Sequence, residues 1–306
     1  MGSLPTLMPR LRPGSAREGR IDRLDWRAGT CFGAYGLRVG VRTNAPALLD
    51  RLGPHLPPGW RALASPVVDQ IFSVWVDGDG APAGRPGRVY AGSRRRARTA
   101  DLDHAVAVLE SEIRLSVAAG AVRRTFVHAG VVGWRGRAIV LPGRSRSGKT
   151  TLVAELVRAG ALYLSDEFAV LDRHGRVHPF AKPLSIRGAG GCDVHVQALR
   201  AEDLGGSCAE RPLPVRLVAL AEHRPGALWR PERLTAGRAV LEMLAHTVPA
   251  RLRPEASLVS LERAVTRATV LKGVRGEARE MAEALLRAVE EAEPASRRGT
   301  GEEGTR

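Results

Sequence analysis

The residues most able to do chemistry lie between positions 128 and 187. Gly143-Arg144-Ser145-Arg146-Ser147-Gly148-Lys149-Thr150 fits GxxxxGK[ST], a spacing that converges backbone N–H groups on phosphate oxygens. Its glycines permit φ > 0 and leave room for a ligand, and the start of the following helix favours an anion. Lys149 is expected to reach β- and γ-phosphates, and Thr150 to offer its hydroxyl to Mg²⁺. Thr151 completes the expected nucleotide-binding set of Gly143, Arg144, Ser145, Arg146, Ser147, Gly148, Lys149 and Thr150. Only three of the 47 basic residues are lysines, so a lysine at this position is informative.

Asp166 and Glu167 follow the short apolar run Ala161 to Leu164. At the carboxyl end of a strand they would stand beside the phosphates, where carboxylates hold Mg²⁺ and accept a proton from an attacking hydroxyl. Further on, Ala181 to Gly191 joins Lys182, Arg187 and a second glycine-rich run, and either cation would suit a transferring phosphate.

The elements needed to position these groups follow from periodicity. Phe126 to Val132 and Arg137 to Leu141 flank Gly133-Trp134-Arg135-Gly136 as a hairpin, and Lys149 to Ala159 is an amphipathic helix closed by Gly160. The strand Ala138 to Leu141, this helix and the strand Ala161 to Leu164 would make a parallel crossover unit. Phe168 to Asp172 and Arg176 to Phe180 form a second hairpin with His174 on a solvated turn. Arg216 to Ala221 and Thr269 to Leu271 are strands, whereas Thr235 to His246 and Gly276 to Ala292 are helices. Arg251 and Arg253 fall in a solvated loop.

Upstream, Gly36 to Arg42 and Gln70 to Val76 alternate as strands, and Ala45 to Leu52 is a short helix capped by Asn44. Asp77 to Gly80 is a turn, Arg94 to Arg98 lies in a loop or basic edge, and Ala100 to Ala119 carries helical spacing. The expected class is α/β: a P-loop kinase-type sheet with flanking helices and hairpins over 121–292, after a smaller N-terminal α/β domain over 21–120. The Pro-, Gly- and Arg-rich residues 1–20 and the terminal residues 293–306 have the composition of disordered tails.

With 306 residues, 44% hydrophobic, the chain can bury a full core, which excludes a disordered or fibrous protein. No window approaches a membrane span, so no membrane partner is expected. Cys31, Cys192 and Cys208 are odd in number and lack CxxC spacing, which fits a reducing cytoplasm without disulfides or zinc. The net charge of +15 attracts polyanions nonspecifically, but 4% aromatic residues provide no base-stacking platform, so no specific nucleic acid is expected and an acidic peptide suits the surface equally well.

From Phe126 to about Val194 the chain resembles the catalytic domain of HPr kinase/phosphorylase. The resemblance rests on the order of Val127-His128-Ala129-Gly130-Val131-Val132, the phosphate loop with its lysine 21 residues after His128, Leu164-Ser165-Asp166-Glu167, and Ile186-Arg187-Gly188-Ala189-Gly190. It implies an ATP- and Mg²⁺-dependent kinase acting on a serine of a small protein, with catalytic-site roles for His128, Lys149, Asp166, Glu167 and Arg187. Metal binding falls to Thr150 and the acidic pair. The family has two aspartates where this chain has Asp166 and Glu167, and one of them is the base. Alignment to the lysine favours Glu167 as base and Asp166 as its metal-side partner, with the reverse assignment open. Ser185 stands where the family has a metal-binding glutamate, so a kinase is expected and the reverse phosphorolysis is left open. The unmatched N-terminal region places the chain nearer to divergent members that resemble kinases of ribosomally made peptides. The family's rings imply a homo-oligomer. A nucleotide-dependent switch or NTPase and a small-molecule kinase are the alternatives.

Overall fold

The computed structural model describes residues 12–13, 20–76, 87–144, 147–187 and 196–291. The chain is mixed α/β and divides into two compact units, Met1–Arg124 and Thr125–Arg306. Among the described residues no helix is long and apolar enough to cross a membrane. The tail expectations fall outside these residues except at Arg12–Pro13, which pairs in parallel with Val67–Val68, and at Arg20, which opens the short 3-10 turn Arg20–Arg23. The Asp77 to Gly80 turn also lies outside them.

The first unit is a six-stranded mixed sheet in the order Arg61–Ala62, β1 (Ala28–Ala34), β2 (Leu37–Thr43), β3 (Gln70–Trp75), β4 (Gly87–Ala91), β5 (Arg94–Thr99). Helix α1 (Leu102–Gly120) starts at Asp101, whose carboxylate accepts from the Asp103 amide at 2.8 Å. It buries Ala105, Leu109, Ile113 and Val117 against the sheet residues Val39, Val41, Phe72, Val74 and Val89. The arginine cluster is an edge strand. Asn44 does not cap the next helix: its amide donates to the Val76 carbonyl and its carbonyl accepts from the Val76 amide, at 2.6 and 2.8 Å. Pairing a buried strand end outcompetes capping here, and the helix shrinks to Ala47–Asp50.

The second unit is built on β6 (Thr125–Trp134), β7 (Arg137–Pro142), β8 (Leu162–Ser165), β9 (Phe168–Leu171), β10 (Arg176–His178), β13 (Leu213–His223) and β14 (Thr269–Arg275), with β11 (Leu184–Arg187) and β12 (Val196–Leu199) as a separate hairpin. In the main ladder β8 pairs β6, β6 pairs β7, β7 pairs β13 and β13 pairs β14, the last two in parallel. Strand β8 therefore runs parallel to β7, as the crossover unit requires, with antiparallel β6 between them. The ten-residue β6 serves two ladders: Thr125 to His128 pair with β9, and Ala129 to Trp134 pair with β7. Since β9 pairs β10 and β10 pairs the start of β13, the strands close into a ring.

Alternation along the strands sends side chains to opposite faces. Val132, Ile139, Leu141, Leu217 and Ala219 pack with helices α2 (Lys149–Arg158) and α5 (Ala278–Glu291), while Val131, Val140, Val218 and Leu220 pack with α3 (Ala236–Leu244) and α4 (Pro254–Val265). Helix α2 ends at Gly160, with φ +95°, in a Schellman turn: Gly160 N–H donates to the Val157 carbonyl and Ala161 N–H to the Leu156 carbonyl. Helix α4 was not expected; its short polar-apolar mixture around Pro254 has little contrast until packed beside α3.

Candidate functional site

The site forms where β6 changes partners. At that junction the main-chain groups of His128 and Ala129 are taken by loops rather than by a continuous ladder. The His128 carbonyl accepts from the Gly143 amide at 3.2 Å, the His128 amide donates to the His246 carbonyl at 2.8 Å, and the Ala129 amide donates to the Glu167 carbonyl at 3.1 Å. Two adjacent residues thus tether the phosphate-loop motif, the acidic turn and the turn after α3.

The motif doubles back between β7 and α2. A Cβ on Gly143 would lie 2.8 Å from Ser147 Oγ, and Gly148 sits at φ +77°, the left-handed conformation that suits glycine. Lys149 Nζ donates to the carbonyls of Gly143 at 2.8 Å and Arg144 at 2.6 Å, drawing the strand end toward the helix start. Burial pulls the Lys149 pKa below its ordinary value, against the opposing fields of Asp166 and Glu167. Ser145 and Arg146 lie outside the described residues, Arg144 is exposed, and Thr151 is exposed on the first turn of α2.

Thr150 Oγ1 donates to Asp166 Oδ2 at 3.3 Å, so the hydroxyl of the motif and the first acid meet. Asp166 is 7% exposed. Burial pushes its carboxyl above the usual range; Lys182 pulls it down, and Glu167 adds to the rise. The Tyr163 hydroxyl lies 3.1 Å from Asp166 Oδ1 and 2.8 Å from the Lys182 carbonyl, so a single phenolic proton serves two acceptors. Buried Ser165 shapes the acidic turn: its Oγ accepts from the amides of Glu167 and Phe168, at 3.1 and 3.0 Å. Glu167 Oε2 is 3.3 Å from Lys182 Nζ.

His128 is half-buried with its ring 4.8 Å from that of Phe168, its cross-strand neighbour. Burial lowers its pKa; Glu167 opposes this, and Lys149 and His246 reinforce it. Burial, Lys149 and Arg144 likewise lower His246, against Glu242. Both imidazoles are therefore biased toward the neutral form beside the lysine.

The backbone of Arg187 ends β11, paired with Val196; its side chain and residues 188–195 lie outside the described set. Among the described residues, no group of three or more His, Cys, Asp or Glu side chains is placed to hold a metal ion. Two carboxylates and a hydroxyl suit Mg²⁺ held largely by phosphate oxygens and water, rather than a closed protein cage. Four residues given no role by the sequence lie here: His246, Tyr163, Ser165 and Arg275, whose Nη2 donates to the Gly148 carbonyl. Ser165 carried a local signal, a serine directly before two turn-forming acids. His246 and Arg275 carried none, being distant in sequence.

Scanned against protein-family models the sequence finds no match, and a search of curated proteins finds no significant relative.

Proposed function

We propose that the Thr125–Arg306 unit is a P-loop kinase that transfers the γ-phosphoryl group of ATP to a hydroxyl, most simply a serine, of a peptide or small protein. The observation that carries this reading is the meeting of Thr150 with Asp166 while Glu167 stands next to it on the same Ser165-capped turn. Together they give a nucleotide-side hydroxyl, a metal-side carboxylate and a second carboxylate, paired with Lys182, for another role.

On nucleotide binding, the Lys149 ammonium exchanges its carbonyl partners for β- and γ-phosphate oxygens, and the amides at the start of α2 donate to the same anion. Bound Mg²⁺ would neutralise phosphate charge from Thr150 and Asp166. Glu167 accepts the proton of the acceptor hydroxyl as its oxygen bonds to the γ-phosphorus and the bond to the ADP oxygen breaks. Lys182, beside Glu167, stands where a cation can stabilise the transferring phosphoryl group. His128, whose burial favours the neutral imidazole, lies within the field of Glu167. The resemblance to HPr kinase/phosphorylase supports the same roles, and with them a homo-oligomeric state, which light scattering measures.

The test is transfer of label from γ-labelled ATP with Mg²⁺ to small polypeptides of the source cell. Label on a peptide with the wild type, absent with Lys149→Ala and Glu167→Gln, supports the kinase. Hydrolysis without labelling moves the nucleotide-dependent switch ahead, and failure to bind ATP overturns the nucleotide reading altogether.

A further inference from the structure

Arg275, the last residue of β14, is 3% exposed and points at the back of the phosphate-loop motif. Its Nη2 donates to the Gly148 carbonyl at 3.1 Å and lies 3.5 Å from that of Ser147, while Nη1 donates to its own neighbour, the Gly276 carbonyl, at 3.0 Å. A Cβ on Gly148 would lie 2.5 Å from Nη2, so the guanidinium packs directly against the glycine and would have to shift for any larger residue there. Among the described residues no carboxylate forms an ion pair with Arg275. Glu277 is the acid whose field reaches it, and it does not offset the burial that lowers the arginine's pKa.

This placement is electrostatically odd. The guanidinium sits at the N-terminal end of α2, where the helix dipole already favours negative charge, and Lys149 adds a second cation. A buried charge is ordinarily paired. The carbonyls that hold Arg275 carry no full negative charge, which an anion bound at the motif would supply.

We infer that Arg275 is a positioning residue for phosphate binding. It draws the Ser147 and Gly148 carbonyls backward so that the loop amides face the ligand, and a bound phosphate supplies the counter-charge it lacks. The inference rests on the nucleotide reading and extends it to a residue 127 positions beyond Gly148. Arg275 does not touch the ligand. A lysine would keep the charge but not the planar fork that serves carbonyls on two segments at once.

The experiment is calorimetric titration of the full chain with Mg-ATP and, separately, with inorganic tripolyphosphate, for wild type, Arg275→Gln and Arg275→Lys. Ligand-free thermal melts establish that each variant is folded. Arg275→Gln is expected to weaken both ligands about tenfold or more, and Arg275→Lys by a smaller factor. Equal weakening of the nucleoside-free probe, with the ligand-free melting temperature near that of wild type, is the signature of lost phosphate positioning. A folded Arg275→Gln that binds both ligands as tightly as wild type overturns the inference. If the glutamine variant does not fold, Arg275→Lys decides, and unchanged tripolyphosphate affinity overturns it. Wild type that binds neither ligand overturns the nucleotide reading and this inference with it, whereas wild-type binding with unaffected variants overturns this inference alone.

Discussion

Arg42 in the first unit and Arg275 in the second are both 3% exposed, and their surroundings differ in kind. Arg42 on β2 donates to Asp22 at 2.6 Å and to Ser73 Oγ at 2.8 Å, and its guanidinium lies 4.7 Å from the Trp26 ring centre. Every demand a buried cation makes is met there: an opposite charge, a neutral acceptor and an aromatic face. Arg275 has carbonyls alone among the described residues. A compensated charge stabilises the fold that surrounds it; an uncompensated one is stable only because its neighbours hold it, and it gains when an anion arrives. The contrast separates a structural arginine from a ligand-poised one without reference to any relative.

The largest effect that would break this comparison is at Arg42. Arg42→Met leaves Asp22 without its cation and is expected to cost about 3 kcal/mol of stability in urea unfolding, by the same amount with and without Mg-ATP. A ligand-dependent loss would mean that Arg42 is not purely structural. Lys149→Met comes next: if the proposed kinase reading holds, removing this charge is expected to cost about a hundredfold in turnover, with the melting temperature near that of wild type. Gly148→Ala should cost about 1–2 kcal/mol for its left-handed backbone, and more through the Cβ driven onto Arg275. The second part should vanish in an Arg275→Gln background, so a double-mutant cycle measured by thermal unfolding must show coupling.

The smallest effect concerns a compensated anion in the second unit. Asp172, between β9 and β10, accepts from the amides of His174 and Arg176 and lies 3.0 Å from His178 Nε2. Burial alone would raise its pKa, but these hydrogen bonds and the His178 charge outweigh burial and hold it below the usual value. A depressed folded-state pKa stabilises above the unfolded value and loses that contribution as pH falls through the folded one. Asp172→Asn should therefore cost about 1 kcal/mol at pH 7, with the difference from wild type shrinking below about pH 4. A gap that stays constant down to pH 3 would assign Asp172 a purely geometric role.

Much of the candidate site was legible because its parts are local. The motif Gly143 to Thr150, its helix and the Gly160 stop are consecutive, and each obeys a short-range rule of φ or hydrogen bonding. The acids at 166 and 167 could be placed beside the loop because one helix separates them from it. Asn44 was misread for the converse reason: a capping pattern is local, but the competing partner, Val76, is supplied by a strand more than thirty positions away. Helix α4 was missed because its apolar stripe gains meaning only against the sheet face it covers.

The sequence by itself determined the residue types able to hold a phosphate and a metal, and the helix that begins at Lys149, since both depend on neighbours within a few positions. Only the tertiary structure decided what surrounds them. The junction at His128 and Ala129 exists because β6 is long enough to leave one ladder for another, and main-chain groups released at such a change must find partners elsewhere. They find Gly143, His246 and Glu167. Arg275 reaches the motif because β13 and β14 run parallel beside β7, a pairing that joins segments far apart in the chain.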